Sequence, residues 1–389
     1  MRIALITDGI SPYQIGGMQQ HSAYLGKYLV ESGYTVDLFH CVDQSTNEPS
    51  DLEVNKHFFE NDYNFNEIKC FKFPVSIYFP GHYLWCSYKY SKMIYDSLKN
   101  SLDKYDFIYT KGFSGWKLLK ESKKTTNNNF KIGVNFHGYE MYQYAPNIKM
   151  KLQHYLFRPF VKWININSDF IFSYGGEISN LIEAIGVEKE KIIEIPSGIE
   201  KKWLNQNILS VSSKIKLLFI GRNERRKGII EIFSAIEILA SQNINLEFHF
   251  IGPIKEKYFN QNSNLKLVFH GVVNDVNTKK NIIDNCDFLL CPSYSEGMPN
   301  VILEAMSRGL AIIATNVGAV SQLVNHENGI LLENCSVENI YKSVLEVLNY
   351  DDNKVLALKN SSINKVEMNY TWEKIFNLMN FNILNKIVN

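Results

Sequence analysis

The chain lacks any apolar run approaching the ~20 residues that cross a bilayer, and its opening MRIALITDG is too short, and too soon interrupted by Asp8, for a signal peptide. A protein of the cytosol is expected. Cysteine is sparse: Cys41, Cys70, Cys86, Cys286, Cys291 and Cys335 form no C-x-x-C pair and no His-partnered spacing. This argues against a zinc site and a disulfide framework, and leaves reduced, mostly buried thiols. Neither charge sign dominates, with 41 Lys and Arg against 40 Asp and Glu, so global charge gives no footprint for nucleic acid. No D-x-D sits between apolar strands, and Asp351 and Asp352 fall in a polar stretch between helical segments. No metal site and no cofactor are therefore expected. The G-x-S-x-G elbow, G-x-G-x-x-G and the Walker lysine pattern are absent too.

What is present is length and alternation. At 389 residues, 45% of them hydrophobic and 21% charged, the chain is a folded protein past the size at which one core usually stops growing. Short apolar runs (RIALITDG, TVDLFHCV, DFIYTKG, FKIGVNFHG, FIFSYG, KIIEIPSG) alternate with helix-period segments. After a polar lapse the pattern resumes in IKLLFIGR, LEFHFIGP, LKLVFHG, DFLLCPS, AIIATN and GILLE. Strand, helix, strand in this order predicts α/β architecture: two Rossmann-like, doubly wound parallel sheets facing a central cleft. The expected boundaries are 1–200 for the first domain, 201–213 for a linker and 214–365 for the second domain. A helix is expected over about 366–388, with Trp372, Ile375, Phe376, Leu378 and Met379 at helical spacing.

The charge balance is uneven along the chain: residues 69–167 carry sixteen Lys or Arg against five Asp or Glu. Within them Lys149, Lys151, Arg158 and Lys162 lie among Tyr155, Leu156, Phe157, Phe160 and Trp163. Two readings stand, a buried helix with snorkelling lysines and a surface that rests on anionic lipid headgroups. The second would place the protein peripherally on the inner face of the cell membrane.

Four motifs carry the chemistry. In YSEGMPNVILEAMSR, Glu296 and Glu304 stand eight apart across a Gly297-Met298-Pro299 turn that opens a helix near Asn300, where backbone N–H groups and a positive dipole end can face a phosphate. Spacing alone proves little, because Glu338 and Glu346 are also eight apart on an ordinary amphipathic helix. GRNERRKG places Arg222 and Lys227 at a strand-to-helix turn, positioned to hold a diphosphate, with Arg225 and Arg226 read as solvated neighbours. Gly16 and Gly17 follow the first strand, so that either backbone approaches a ligand there or the turn is merely tight. His137 ends a strand in NFHGYE, either as a donor to a sugar or phosphate or as a structural histidine. His21, His40, His249 and His270 receive no role.

With GRNERRKG, SYSEGMPNVILEAMSRGLAIIATNVGAVSQLV and ENGILL in view, the chain resembles the retaining glycosyltransferases of family 4, which have the GT-B fold. The resemblance implies that Glu304 binds the ribose hydroxyls of a nucleotide donor, Glu296 the transferred sugar, and Arg222 with Lys227 the diphosphate. Backbone of Gly297, Met298, Asn300, Gly16 and Gly17 would complete the cradle, with His137 near the reactive face of the sugar. YTWEKI looks like the family's C-terminal helix, which returns to the first domain. The chain departs from the family at Ser197-Gly198, where Asn-Gly is usual, and at Gly318-Ala319-Val320-Ser321-Gln322, where Gly-Gly-x-x-Glu is usual. The implied reaction is metal-independent transfer of a hexose-type sugar from UDP or GDP to a glycan acceptor. That acceptor would be a lipid-linked oligosaccharide of surface polysaccharide synthesis. A nucleotide-sugar 2-epimerase and a non-catalytic nucleotide-sugar binder are the alternatives.

Overall fold

The computed structural model describes all residues except 15, 60–62, 125–128, 146, 208, 243, 256–263, 388 and 389, and of 381–387 the backbone alone. The chain forms two compact units, one of Met1–Tyr142, Asn147–Pro196 and Ile375–Asn389, the other of Gln143–Pro146 and Ser197–Lys374. Residues 201–213 belong to the second unit, where Asn205 N–H donates to the Ser307 carbonyl at 2.8 Å.

In the first unit the apolar runs become strands β1 (Arg2–Ile6), β2 (Thr35–Val42), β3 (Glu67–Lys72), β4 (Phe107–Lys111), β5 (Lys131–Asn135), β6 (Phe170–Ser173) and β7 (Ile192–Glu194). All described pairings are parallel, in the order β3-β2-β1-β4-β5-β6-β7. Because helices cover both faces, β1 and β4 are almost wholly buried, β4 including Thr110 and Lys111 at its end. The order reverses between β1 and β4, and such a switch point opens a crevice at the strand ends. The turn holding Gly16 and the end of β4 both lie there.

Three elements of this unit were not anticipated. Helix Asp51–Phe58 starts at a capping box in which Glu53 N–H donates to Ser50 Oγ and Ser50 N–H to the Glu53 carboxylate, a signal present in the sequence. Strand β3, EIKCFK, pairs with β2 on one side only, and its lysines obscure its pattern. Helix His82–Leu98 is so rich in tyrosine that its apolar stripe reads poorly, although Leu84, Tyr90, Ile94 and Leu98 are buried.

The second unit repeats the plan with β8 (Lys216–Ile220), β9 (Glu247–Ile251), β10 (Lys266–Gly271), β11 (Phe288–Cys291), β12 (Ala311–Thr315) and β13 (Gly329–Leu332). Their order, β10-β9-β8-β11-β12-β13, puts the switch point between β8 and β11. The helix expected from about 366 is corrected: helix Asp352–Asn369 ends and helix Trp372–Ile387 begins across a break at Tyr370 and Thr371. There Ile199 bridges Thr371, donates to the Tyr370 carbonyl and accepts from Trp372 N–H, so the helical ladder is exchanged for a strand-like one. Val388 lies outside the described residues. Among the described residues no helix is long and apolar enough to cross a membrane. All six cysteines are unpaired, five buried and Cys70 partly so.

Two buried polar groups set the stability of these sheets. Asp287, fully buried just before β11, accepts from Ser212 N–H, Lys216 N–H and the Lys359 ammonium, which at 3.1 Å is itself buried and also donates to the carbonyls of Ser210 and Cys286. Breaking such a pair from one side leaves an uncompensated charge. Lys359→Met is expected to cost about 3–5 kcal/mol in urea denaturation, and Asp287→Asn added to it to restore part of that loss. His40, in β2, is fully buried, and among the described residues neither ring nitrogen meets a partner in hydrogen-bonding geometry. Burial pushes its pKa down to about 4, against about 6.5 in the unfolded chain. Its neutral form is kept above pH ~6.5, and stability is lost as pH falls from there to about 4, by roughly 3 kcal/mol. In His40→Leu the fall in urea stability between neutral and acid pH should shrink by about that amount.

Candidate functional site

The turns after β8 and β11 lie side by side at the switch point of the second unit. Arg225–Lys227 form a single 3-10 turn closed by Gly228 at φ +72°. A Cβ at Gly228 would collide with the Pro292 carbonyl and press on Cys335 Sγ, so glycine lets the two turns touch through backbone. Tyr294 N–H then donates to the Arg226 carbonyl at 2.7 Å.

That contact brings Lys227 onto Glu296. The ammonium lies 2.5 Å from Oε1, Ser293 Oγ donates to the same oxygen at 2.7 Å, and the Arg226 guanidinium is 3.7 Å from Oε2. Glu296 is buried. Its backbone is clamped by Gln143, whose amide donates to the Glu296 carbonyl at 2.7 Å and accepts its N–H at 3.2 Å. Gly318 packs against the same turn at φ +59°, where a Cβ would strike the carbonyl oxygens of Glu296 and Gly297. Ala319 follows at φ −100°, a conformation open to any residue, and donates to the Gly297 carbonyl at 2.8 Å. The departure from Gly-Gly is thereby explained: only its first position needs glycine.

Helix Asn300–Ser307 begins after Pro299, which caps it without a side-chain bond to its first N–H groups. Ser197 steadies this end, its N–H on Met298 Sδ and its hydroxyl on Asn300 Oδ1 at 3.3 Å. One turn on, Glu304 is buried and accepts from Lys279 Nζ at 2.5 Å. Lys279 comes from helix Val276–Asp284, which Asp275 caps. The control pair behaves differently: Glu338 is exposed beside Lys342, and Glu346 meets Tyr350 on the solvent side.

In the first unit, helix Gly17–Glu31 starts from Gly16 without a side-chain cap. The space a Gly16 Cβ would fill holds the flexible Gln19 amide. His137 adopts φ +56° and Tyr139 φ +50°, left-handed conformations that are uncommon for residues with a side chain. The Asn135 carboxamide accepts the His137 N–H at 3.1 Å and so supports the turn. His137 Nδ1 bonds the Tyr174 hydroxyl, while Nε2 is buried near the Met18 backbone and meets no partner in hydrogen-bonding geometry. His21 packs edge-on to His137, ring centroids 5.4 Å apart, and its Nδ1 is 2.9 Å from the fully buried ammonium of Lys111. Burial pushes Lys111 down to about 7, against an upward pull from Asp8. Burial first, then the charge of Lys111, holds His21 and His137 well below the ordinary imidazole range.

Glu296, Gly297, Met298, Asn300, Glu304 and Lys227 are thus brought together in the second unit. Arg222 is mostly exposed and pairs with Glu224 at 3.0 Å, whereas Arg226, taken as a solvated neighbour, is the guanidinium near Glu296. Arg225 is likewise engaged, with Glu231 and Tyr294. Sequence reasoning missed Lys279, Ser293, Lys111, His21 and Tyr174. The signal for Lys279 was indirect, since a buried glutamate needs a cation. For the others the sequence held none.

Comparison with known proteins gives two family matches: residues 15–203 to Glycosyltransferase Family 4 and residues 214–350 to Glycosyl transferases group 1. The chain is 24% identical over 212 residues to the capsular polysaccharide biosynthesis glycosyltransferase CapM of Staphylococcus aureus, covering 50% of this chain and 52% of that protein. It is 28% identical over 227 residues to the UDP-Gal:alpha-D-GlcNAc-diphosphoundecaprenol alpha-1,3-galactosyltransferase of Escherichia coli, covering 54% and 52%. In these matches the chain spans about half the length of the relative. Among solved structures, the sucrose-phosphate synthase of Thermosynechococcus elongatus superposes with a TM-score of 0.74 at 19% identity, over 100% of this chain and 98% of that one. Two doubly wound parallel sheets, the switch-point turns and these matches agree: the chain belongs to the GT-B glycosyltransferases of family 4, group 1.

Proposed function

We propose that the chain transfers a hexose-type sugar, with retention, from UDP or GDP to a lipid-linked glycan acceptor in surface polysaccharide synthesis, without a metal. The observation that carries this reading is the pair of buried carboxylates, Glu296 and Glu304, each matched to one lysine at the switch point of a doubly wound sheet. A carboxylate has about four acceptor positions, more than one lysine fills, so each keeps capacity for hydroxyl groups. Glu304 is assigned the ribose and Glu296 the sugar. Lys227, with donors left beyond its bond to Glu296, takes the diphosphate together with Arg222 and the N–H groups of Gly297, Met298 and Asn300. In the first unit, Gly16 and Gly17 offer backbone donors. His137 Nε2 serves as a neutral donor toward sugar or phosphate, and the domain built from residues 1–200 is assigned the acceptor.

In the proposed step the bond from the anomeric carbon to the phosphate oxygen breaks as the acceptor oxygen attacks from the same face. The hydroxyl proton passes to the departing phosphate. Lys227 and the helix N-terminus stabilise the charge that develops on the leaving group. The acceptor class is supported by the undecaprenol-linked acceptor of the Escherichia coli relative, and such an acceptor would hold the protein at the cytoplasmic face of the membrane.

Glu296→Ala and Glu304→Ala should each lower kcat/KM by about a hundredfold or more, the first mainly through kcat and the second mainly through KM for the donor. Full activity in either folded variant would reject the assignment. Donor incubated without acceptor should give no epimer, while an epimer would favour the isomerase alternative. The pH dependence tests His137: removing the buried cation in Lys111→Met makes His21 and His137 easier to protonate, so the acid limb of the kcat/KM profile should move to higher pH. An unmoved limb would remove His137 from the mechanism.

A further inference from the structure

Two stretches of the first unit hold no acidic residue: none lies between Glu67 and Asp96, and none between Glu140 and Asp169. The fold brings these two together. Residues 73–81 lead into helix His82–Leu98 and lie along helix Ile148–Asn167: the Lys149 ammonium is 5.3 Å from the Tyr78 ring, the Tyr83 and Phe157 rings are 5.9 Å apart, and Gly81 abuts Leu156. Apolar side chains of this face point away from the core. Ile77 is 90% exposed, Ile148 78%, Val75 71% and Leu152 66%, with Tyr78 and Tyr155 beside them. Single exposed apolar residues are ordinary, but a group joined by the Lys149–Tyr78 and Gly81–Leu156 contacts, with exposed Lys149 and Lys151 beside it, marks an interaction surface. Helix Ile148–Asn167 buries His154, Val161, Ile164 and Asn165 and leaves Ile148, Leu152, Tyr155 and Leu156 open.

We propose that this composite face docks on anionic phospholipid, with Ile77, Ile148 and Leu152 entering the acyl boundary, the tyrosines at headgroup level and the lysines on the headgroup charges. Charge selects this occupant over a second copy of the chain. A two-fold contact would set Lys149 and Lys151 against their own copies, cation against cation. The surface rests on the proposed transfer to a lipid-linked acceptor for its purpose, while its physics stands without it.

Co-sedimentation of the full chain with phosphatidylcholine vesicles, alone or mixed with phosphatidylglycerol, tests the surface. Binding is expected only with phosphatidylglycerol and should weaken as salt rises. Lys149→Glu with Lys151→Glu should weaken it about tenfold or more. Ile77→Ser with Leu152→Ser should do the same, even at low salt. All four positions are exposed, so the thermal midpoint of each variant and its shift on adding UDP or GDP should equal the parent's. Absent binding, binding indifferent to lipid charge, or variants that bind as the parent does would overturn the proposal. So would a parent dimer that Ile77→Ser with Leu152→Ser dissolves while vesicles go unbound. Vesicle binding needs neither donor nor acceptor, so this surface and the transferase reading fail separately.

Discussion

A carboxylate withdrawn from water must meet a cation or donors close at hand, and the turns of the second unit are arranged around that requirement at Glu296. Lys227 reaches Oε1 because Gly228, left-handed and without a side chain, lets its turn press on the Pro292 carbonyl. Ser293 adds a hydroxyl to the same oxygen, and Gly318 gives the turn room. Each contact is a consequence of placing one charged oxygen pair out of solvent. Lys279 repeats the solution at Glu304 with a cation from another helix. Apolar residues of equal volume would hold these turns at least as well. Two lysine–glutamate pairs at the strand ends of a doubly wound sheet are therefore better explained by what the turns bind than by stability.

The first unit meets a similar problem with neutral groups. Among the described residues Lys111 is buried without an ion pair of bonding geometry, and its charge bears on two imidazoles that burial has already made poor bases. Where the second unit presents carboxylates that accept, this cluster presents nitrogen that donates or stays silent. Left-handed backbone at His137 and Tyr139 is unfavourable for residues with a Cβ, and is held by the bonds of His137 to Asn135 and Tyr174 and of the Tyr139 hydroxyl to Asn165.

Much of this was legible in the sequence, for identifiable reasons. Strands buried on both faces leave unbroken apolar runs, and glycine at a strand end marks where backbones meet, so two doubly wound sheets and the turns at Gly228 and Glu296 could be read directly. Strand β3 could not, because lysines on an edge strand break the run. Which arginine of GRNERRKG lies near Glu296 beside Lys227 is decided by a single 3-10 turn over Arg225–Lys227, which carries Arg226 inward, while Arg222 before it stays in solvent. Residue types alone do not encode that rotation. Lys279 and Lys280 are neighbours of identical type, and only the packing of their helix gives one to Glu304 and the other to the Lys202 carbonyl. Lys111 owes its surroundings to β5 and the helix after Gly16, elements far from it in sequence. Partners fixed by local turns were readable, and those fixed by tertiary packing were not.

The same distinction explains the lysine-bearing apolar face of the first unit. Isoleucines and leucines open to water are a liability for aggregation unless something covers them. A chain can blunt that liability by ringing them with charge of one sign, which repels like copies and admits only a surface of opposite sign. Residues 73–81 and helix Ile148–Asn167 each carry half of such a device, apolar tips on both and lysines beside them, with no acidic residue in either to neutralise the field. Read separately, each half also fits an ordinary solvated loop or a snorkelling helix. It is the cation–aromatic contact of Lys149 with Tyr78 that joins them into one surface, large enough to gain from lipid what no single residue would.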